Sequence, residues 1–315
     1  MRRFLIGLLI VIAALAGALW FVSTPSIPRS VLEKKYANTT DDRFVVLPDG
    51  ARAHFRNQGP RDAPVLLLIH GSNAALLTWV PWVERLDNNF RVVSVDMPGH
   101  GLTGAVPGGD YSEEGMVGFT KEFADKIGLK KFAIAGNSMG GAIAAHFVEE
   151  YPARVTHLIL IDAGGMPTKQ GDHVPLAFRL GRTPVLNKLL LFITPRGIVK
   201  EGLDDAFVHK TLITNKMIDW YWDFARMEGT REATLKRFNL PWDLYVKNHA
   251  AQIHVPTLIL WGSQDHLVPV ASAEAYRDAI KNSKLIVYPD GGHVLQEDLP
   301  NESASAAREF LTSTP

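Results

Sequence analysis

Gly136-Asn137-Ser138-Met139-Gly140 lies between the apolar run Phe132-Ala133-Ile134-Ala135 and the small-residue stretch Gly141-Ala142-Ile143-Ala144-Ala145. A G-x-S-x-G at that place predicts a strand that turns sharply into a helix with a serine at the apex. The apex residue must take a strained backbone conformation, and glycines two residues to either side let strand and helix pass closely. The hydroxyl then stands clear at a helix start, where backbone N–H groups and the helix dipole favour developing negative charge. Ser138 is therefore the candidate nucleophile.

The rest of the chain suits such a turn. From about Phe44 short apolar runs alternate with longer helical patterns, which predicts an α/β fold with a mostly parallel sheet covered by helices. Residues 44–46 and 52–55 flank Pro48-Asp49-Gly50 and read as an opening antiparallel hairpin. Residues 65–69, 92–95, 132–135, 158–161, 257–260 and 285–287 are near-continuous apolar strands of the buried parallel kind. Helices are expected over 112–127, 139–151, 271–280 and 302–311, and there are no internal repeats. The alternation stops over residues 164–251, a block rich in Leu, Phe and Trp at helical spacing. Ligands of open α/β sheets bind outside the carboxyl ends of the strands. An insertion there would roof over Ser138, so 164–251 reads as a helical cap between two parts of one core, 44–163 and 252–315. Trp220, Tyr221, Trp222, Phe224, Met227, Phe238 and Trp242 supply its aromatic and methionine area, which reads first as the core of the cap and second as an apolar pocket.

A serine hydroxyl needs a base, and histidine is the side chain whose unperturbed pKa suits neutral pH. Of eleven histidines, His293 follows the last expected strand in Pro289-Asp290-Gly291-Gly292-His293, and its glycines let the side chain lean over the sheet edge. His70, His100 and His266 also fall in loops, whereas His54, His146 and His157 lie inside expected elements and read as surface or packing residues. The acid that orients the imidazole is expected at Asp265, in the loop after the penultimate strand, with Asp162 at the end of the preceding strand as its rival. The N–H groups of Ser72, in His70-Gly71-Ser72-Asn73, and of Met139 are the expected oxyanion donors.

Together, His70-Gly71, Asp96-Met97-Pro98-Gly99-His100-Gly101, Gly136-Asn137-Ser138-Met139-Gly140-Gly141, Trp261-Gly262-Ser263-Gln264-Asp265 and Gly291-Gly292-His293 resemble the α/β-hydrolase fold family over about residues 44–311. Within it, the elbow resembles both the membrane-anchored bacterial lipases and esterases of the Moraxella type and the meta-cleavage-product C–C hydrolases. The apolar N-terminus is like the former. The latter tend to carry tryptophan after the catalytic histidine, where this chain has Val294. Family members that use an aspartate at the elbow, haloalkane dehalogenases and epoxide hydrolases, are set aside by Ser138. The resemblance implies an esterase or lipase acting without a cofactor on a small, apolar ester. C–C bond hydrolysis is the alternative, and a non-catalytic ligand-binding protein on the same fold a remote one. No H-x-x-x-H or H-E-x-x-H spacing occurs, so no metal is expected, and Asp96 with His100 reads as a structural turn.

Composition bounds the partners. Lys plus Arg and Asp plus Glu both number 33, which leaves no basic field for nucleic acid. No cysteine is present, so disulfides, thiolate metal sites and cysteine nucleophiles are all excluded. Arg2-Arg3 precedes an unbroken apolar stretch over residues 4–22, about the 20 residues a membrane-spanning helix needs. Two arginines before the span place that end in the cytoplasm and the body outside, in the periplasm. Residues 1–22 thus read as an inner-membrane anchor, with a cleaved signal peptide and secretion as the alternative, because Ala14-Leu15-Ala16 and Ala16-Gly17-Ala18 resemble cleavage sites. Residues 23–43 read as a linker. Leu189-Leu190-Leu191-Phe192-Ile193 is a further apolar cluster, too short to span a bilayer, that suits either packing or a membrane surface.

Overall fold

A computed structural model describes residues 23–167, 176–183, 186–240 and 245–313. In chain order its elements are α1 (Arg29–Tyr36), β1 (Asp42–Val46), β2 (Arg52–Gln58), β3 (Val65–Ile69), α2 (Val80–Leu86), β4 (Arg91–Val95), α3 (Glu113–Lys126), β5 (Phe132–Asn137), α4 (Met139–Glu150) and β6 (Val155–Ile161). The helices α5 (Leu176–Arg182), α6 (Leu186–Leu189), α7 (Arg196–Ala206), α8 (Asn215–Ala225), α9 (Thr230–Asn239) and α10 (Tyr245–His249) follow. The chain ends with β7 (Thr257–Gly262), α11 (Val270–Ala279), β8 (Ser283–Tyr288), α12 (Leu295–Asp298) and α13 (Pro300–Thr312).

The strands form one sheet in the order β1-β2-β4-β3-β5-β6-β7-β8. β1 and β2 pair antiparallel, as the Pro48-Asp49-Gly50 turn dictates, and β2 joins β4 antiparallel; every later pairing is parallel. Successive side chains of a strand point to opposite faces, so the apolar runs feed two cores. Leu67, Ile69, Ile134 and Leu160 pack on one face against Phe123 of α3, Phe147 of α4 and Tyr276 of α11. Leu66, Leu68, Ile159 and Leu260 pack on the other against Trp82 of α2 and Ala304 and Ala307 of α13. The helix limits follow local chemistry: the Ser112 side chain accepts the Gly115 N–H and caps α3, and Pro300 starts α13 two residues before the expected Glu302. β6 begins at Val155, three residues before its apolar run, because parallel pairing of Val155 with Phe132 carries the polar Thr156 and His157 into the strand.

Among the described residues no strand lies between β6 and β7. Residues 23–43 are more than a connection: α1 buries Leu32 against Trp220, Phe224 and Met227 of the helical block, and Ile27 bridges to Met227. No helix of the described residues is long and apolar enough to cross a membrane; the apolar run 4–22 and Trp242 lie outside the described residues.

His54 departs from the reading of it as a surface or packing residue. It is 2% exposed, with Nδ1 2.7 Å from Asp96 Oδ2 and Nε2 3.0 Å from Asp42 Oδ1. Burial opposes charge on the ring, but the hydrogen bonds to Asp42 and Asp96 outweigh it and raise the His54 pKa. Asp96 also accepts the backbone N–H groups of Leu76 (2.7 Å) and Leu102 (2.8 Å), so the buried set of His54, Asp42 and Asp96 ties β1, β2 and the loops after β3 and β4. Removing one member of a buried ionic set strands the others without compensation. His54→Ala should therefore lower the unfolding free energy by about 3 kcal/mol, read as a shift in the urea midpoint; an unshifted midpoint would show the network to be dispensable.

Candidate active site

Ser138 occupies the turn between β5 and α4 with φ 55° and ψ −120°. Its N–H donates to Ile161 O (3.0 Å) and its carbonyl accepts Gly164 N–H (2.9 Å), which pins the turn to β6. The flanking glycines are required by space: a Cβ on Gly136 would lie 2.0 Å from Gly140 O, and one on Gly140 would lie 2.2 Å from Ile69 O. The strain predicted for the motif is thus present in the backbone, held by contacts that admit no side chain.

His293 sits between β8 and α12. Its Nδ1 is 2.8 Å from Asp265 Oδ2, and the other oxygen, Oδ1, accepts the N–H groups of Leu267 (2.7 Å) and Val268 (3.0 Å). With Nδ1–H donating to a carboxylate fixed in this way, the ring presents Nε2 as its basic nitrogen. The His293 carbonyl accepts from Asn137 Nδ2 (2.9 Å) and its N–H donates to Ala206 O (2.8 Å). Asp162, the rival acid, lies buried at φ 45° and accepts the Gly262 N–H at 2.8 Å. Burial, reinforced by the charge of Asp265, raises its pKa well above the usual carboxylate range.

Ser138, His293, Ser72 and Gly71 line one cavity of about 640 Å³, whose remaining wall is largely apolar and includes Leu190, Ile193, Leu203, Phe224 and Phe238. A Cβ on Gly71 would lie 3.2 Å from Ser138 Cβ, so the loop after β3 passes against the serine, and Met139 opens α4 on its other side. Trp220 and Met227 are core, whereas Tyr221, Phe224 and Phe238 reach the cavity. The other loop histidines have different employment. His70 accepts the Met97 N–H at Nε2 and burial lowers its pKa. His100 accepts from Arg237 Nη1 at 2.7 Å, and burial, followed by the charge of Arg237, lowers its pKa further. Among the described residues no group of three or more His, Asp or Glu side chains could hold a metal ion.

Two features escape sequence reading. Arg237 of α9 donates to His100 Nε2, Ser72 Oγ (3.1 Å) and Asn73 Oδ1 (2.8 Å). It thereby ties the helical block to the loop beside Ser138, with Asn73 held at φ 60°. Burial lowers its pKa to about 10, which leaves it cationic at neutral pH. In sequence it is an ordinary helical arginine. The second is Glu297, buried where Thr78 Oγ1 (2.6 Å) and Tyr221 OH (3.0 Å) donate to its Oε2; Gln296 Nε2 extends the cluster to Asn137 Oδ1 at 3.2 Å.

Burial raises the Glu297 pKa to about 7, against the opposing hydrogen bonds from Thr78 and Tyr221. The folded state then binds a proton that the unfolded state releases near pH 4.3, so stability falls as pH rises through that interval and levels off above about 7. Glu297→Gln should remove this slope and leave the protein relatively more stable at pH 8 than the wild type, by on the order of 1–3 kcal/mol. Thermal midpoints from pH 5 to pH 8 check it; parallel curves for the two proteins would refute the burial argument.

Comparison with known proteins agrees with this geometry. Monoacylglycerol lipase ABHD6 of Bos taurus is 27% identical over 259 residues, covering 81% of this chain and 77% of that protein. The crystal structure of a bacterial membrane phospholipase A, described as a virulence factor, superimposes with a TM-score of 0.76 at 26% identity, covering 99% of this chain and 98% of that one. The meta-cleavage product hydrolase of Pseudomonas fluorescens IP01 shares the fold, with a TM-score of 0.74 at 22% identity over 85% of this chain and 97% of that one. The model of the alpha/beta hydrolase fold matches residues 64–300, and with the eight-stranded sheet and its elbow serine in place, the chain belongs to the α/β-hydrolase fold family.

Proposed function

We propose that this protein is a serine hydrolase of apolar carboxylic esters, an esterase or lipase. The observation that carries the reading is that Ser138, at a strained turn, opens into the same apolar cavity as His293, whose Nδ1 is held by Asp265. In this reading His293 Nε2 takes the Ser138 proton as Oγ attacks the ester carbonyl, and the N–H groups of Ser72 and Met139 receive the oxyanion. The imidazolium, stabilised by Asp265, protonates the departing alkoxide and leaves an acyl-serine. Water gives its proton to Nε2 and its oxygen to the acyl carbon, which releases the acid and restores Ser138.

The lipase and phospholipase names of the relatives support an acyl ester of lipid type, as does the apolar wall. Val294 follows His293 and lines the cavity, which favours esters over the C–C hydrolysis of the meta-cleavage enzymes. Residues 164–251 serve as the cap over a core formed by 44–163 and 252–315. Residues 4–22 serve as the anchor, with the body on the periplasmic side.

Ser138→Ala should abolish hydrolysis of chromogenic esters while the protein stays folded, and a phosphonate should label the wild type at Ser138 alone; labelling elsewhere would displace the nucleophile. Asp265→Asn should cost about 10⁴ in kcat, because the imidazole then favours the wrong tautomer, and Asp162→Asn far less; the reverse ranking in steady-state rates would move the acid to β6.

Arg237 gives a separate test. Without it, the Ser72–Asn73 loop loses two hydrogen bonds to α9 and His100 a third, and an oxyanion donor loses its fixed position. Arg237→Ala should lower kcat about 10- to 100-fold with KM little changed, and added guanidinium should restore part of the rate. A change confined to KM would assign Arg237 to substrate binding instead.

A further inference from the structure

The strip of residues 186–194 has two sides. Leu190, Ile193 and Thr194 line the cavity that holds Ser138. Leu186, Leu189 and Phe192 of the same strip are 45%, 43% and 52% exposed. Large apolar side chains grouped in this way mark an interaction surface.

The path of the chain identifies what covers it. Thr24 N–H donates to Phe192 O (2.8 Å), Thr194 N–H donates to Thr24 Oγ1 (2.8 Å), and Arg231 Nη2 donates to Thr24 O (2.7 Å). The apolar run 4–22 ends two residues before Thr24, a reach of at most about 7 Å of extended chain. Whatever holds that run therefore lies beside Phe192. Charge agrees: residues 176–194 contain Arg179, Arg182 and Lys188 and no Asp or Glu, which complements the anionic headgroups of a bilayer.

We propose that Leu186, Leu189 and Phe192 dip into the leaflet that holds residues 4–22, so that the strip is a threshold over which ester lipids slide from bilayer to cavity without crossing water. The inference rests on the reading of residues 4–22 as a membrane anchor. It adds a second, independent point of membrane contact, on the helical block. It also explains why one strip is apolar on both sides: one side meets acyl chains in the leaflet and the other meets them in the cavity.

The absence of cysteine allows a clean test on the full-length chain. Phe192→Cys and, at the opposite end of the sheet, Arg61→Cys are each labelled with an environment-sensitive fluorophore and reconstituted into vesicles of phosphatidylethanolamine and phosphatidylglycerol. The probe at 192 should shift to the blue, resist aqueous iodide and be quenched by spin-labelled lipid, and the probe at 61 should do none of these. Leu189→Asp with Phe192→Asp should slow hydrolysis of a long-chain ester embedded in vesicles by about tenfold and leave a soluble short-chain ester unaffected. Iodide quenching at 192 equal to that at 61, in protein that floats with the vesicles, overturns the threshold and leaves the anchor standing. Shielding from iodide without quenching by lipid means that a protein surface covers the strip, and also overturns it. Failure of the chain to float with vesicles removes the anchor, and the threshold with it.

Discussion

Between Gly136 and Gly140 the chain passes from β5 into α4 through a space with no room for a Cβ atom, and the backbone of Ile69 at the end of β3 closes that space from the other side. Ser138 has its left-handed conformation because this passage is so tight. Its peptide is tied to β6 through Ile161 and Gly164. The order β3-β5-β6 at the centre of the sheet is what brings those three carboxyl ends together. Loops after β3, β7 and β8 then inherit positions around one serine without needing to be close to it in sequence.

The buried polar groups fall into an order of their own. His54 is hydrogen-bonded to two carboxylates and its pKa is raised; at His70 burial outweighs the nearby charge of Asp96, and at His100 burial and the charge of Arg237 act together, so both of those pKa values are lowered. Asp265 and Asp162 end adjacent strands, yet only Asp265 faces an imidazole, and its charge discourages ionisation of the other. Two carboxyl groups of similar sequence context thus differ in what they hold: Asp265 takes the imidazole of His293, and Asp162, its pKa raised first by burial and then by the charge of Asp265, takes the Gly262 N–H.

Strands β3 to β7 were legible because parallel strands covered on both faces must be apolar throughout, and the elbow because its glycines are dictated by space. His293 and Asp265 were legible as residues at strand ends, with their contact left to the fold. What stayed hidden depends on distant chain. Arg237 acquires meaning only when α9 meets the loop after β3, across more than a hundred and sixty residues. Glu297 looks like the start of a solvated helix until Thr78 and Tyr221 close over it. His54 reads as one polar residue in a hairpin, because the aspartates that charge it arrive from the chain before and after. The helix within residues 23–43 stayed hidden for the same reason: α1 is short and polar, and only the apolar faces of Trp220 and Phe224 give Leu32 somewhere to go.

The peptide of His293 is grasped from both sides, its N–H by Ala206 at the end of α7 and its carbonyl by Asn137 next to the serine. The histidine loop is therefore a joint between α7 and the end of β5. Leu203 and Ala206 of α7 both line the cavity, so the helix that holds the His293 N–H is itself part of the cavity wall. A change in the shape of that wall and a change in the seat of the imidazole are therefore one and the same displacement of α7.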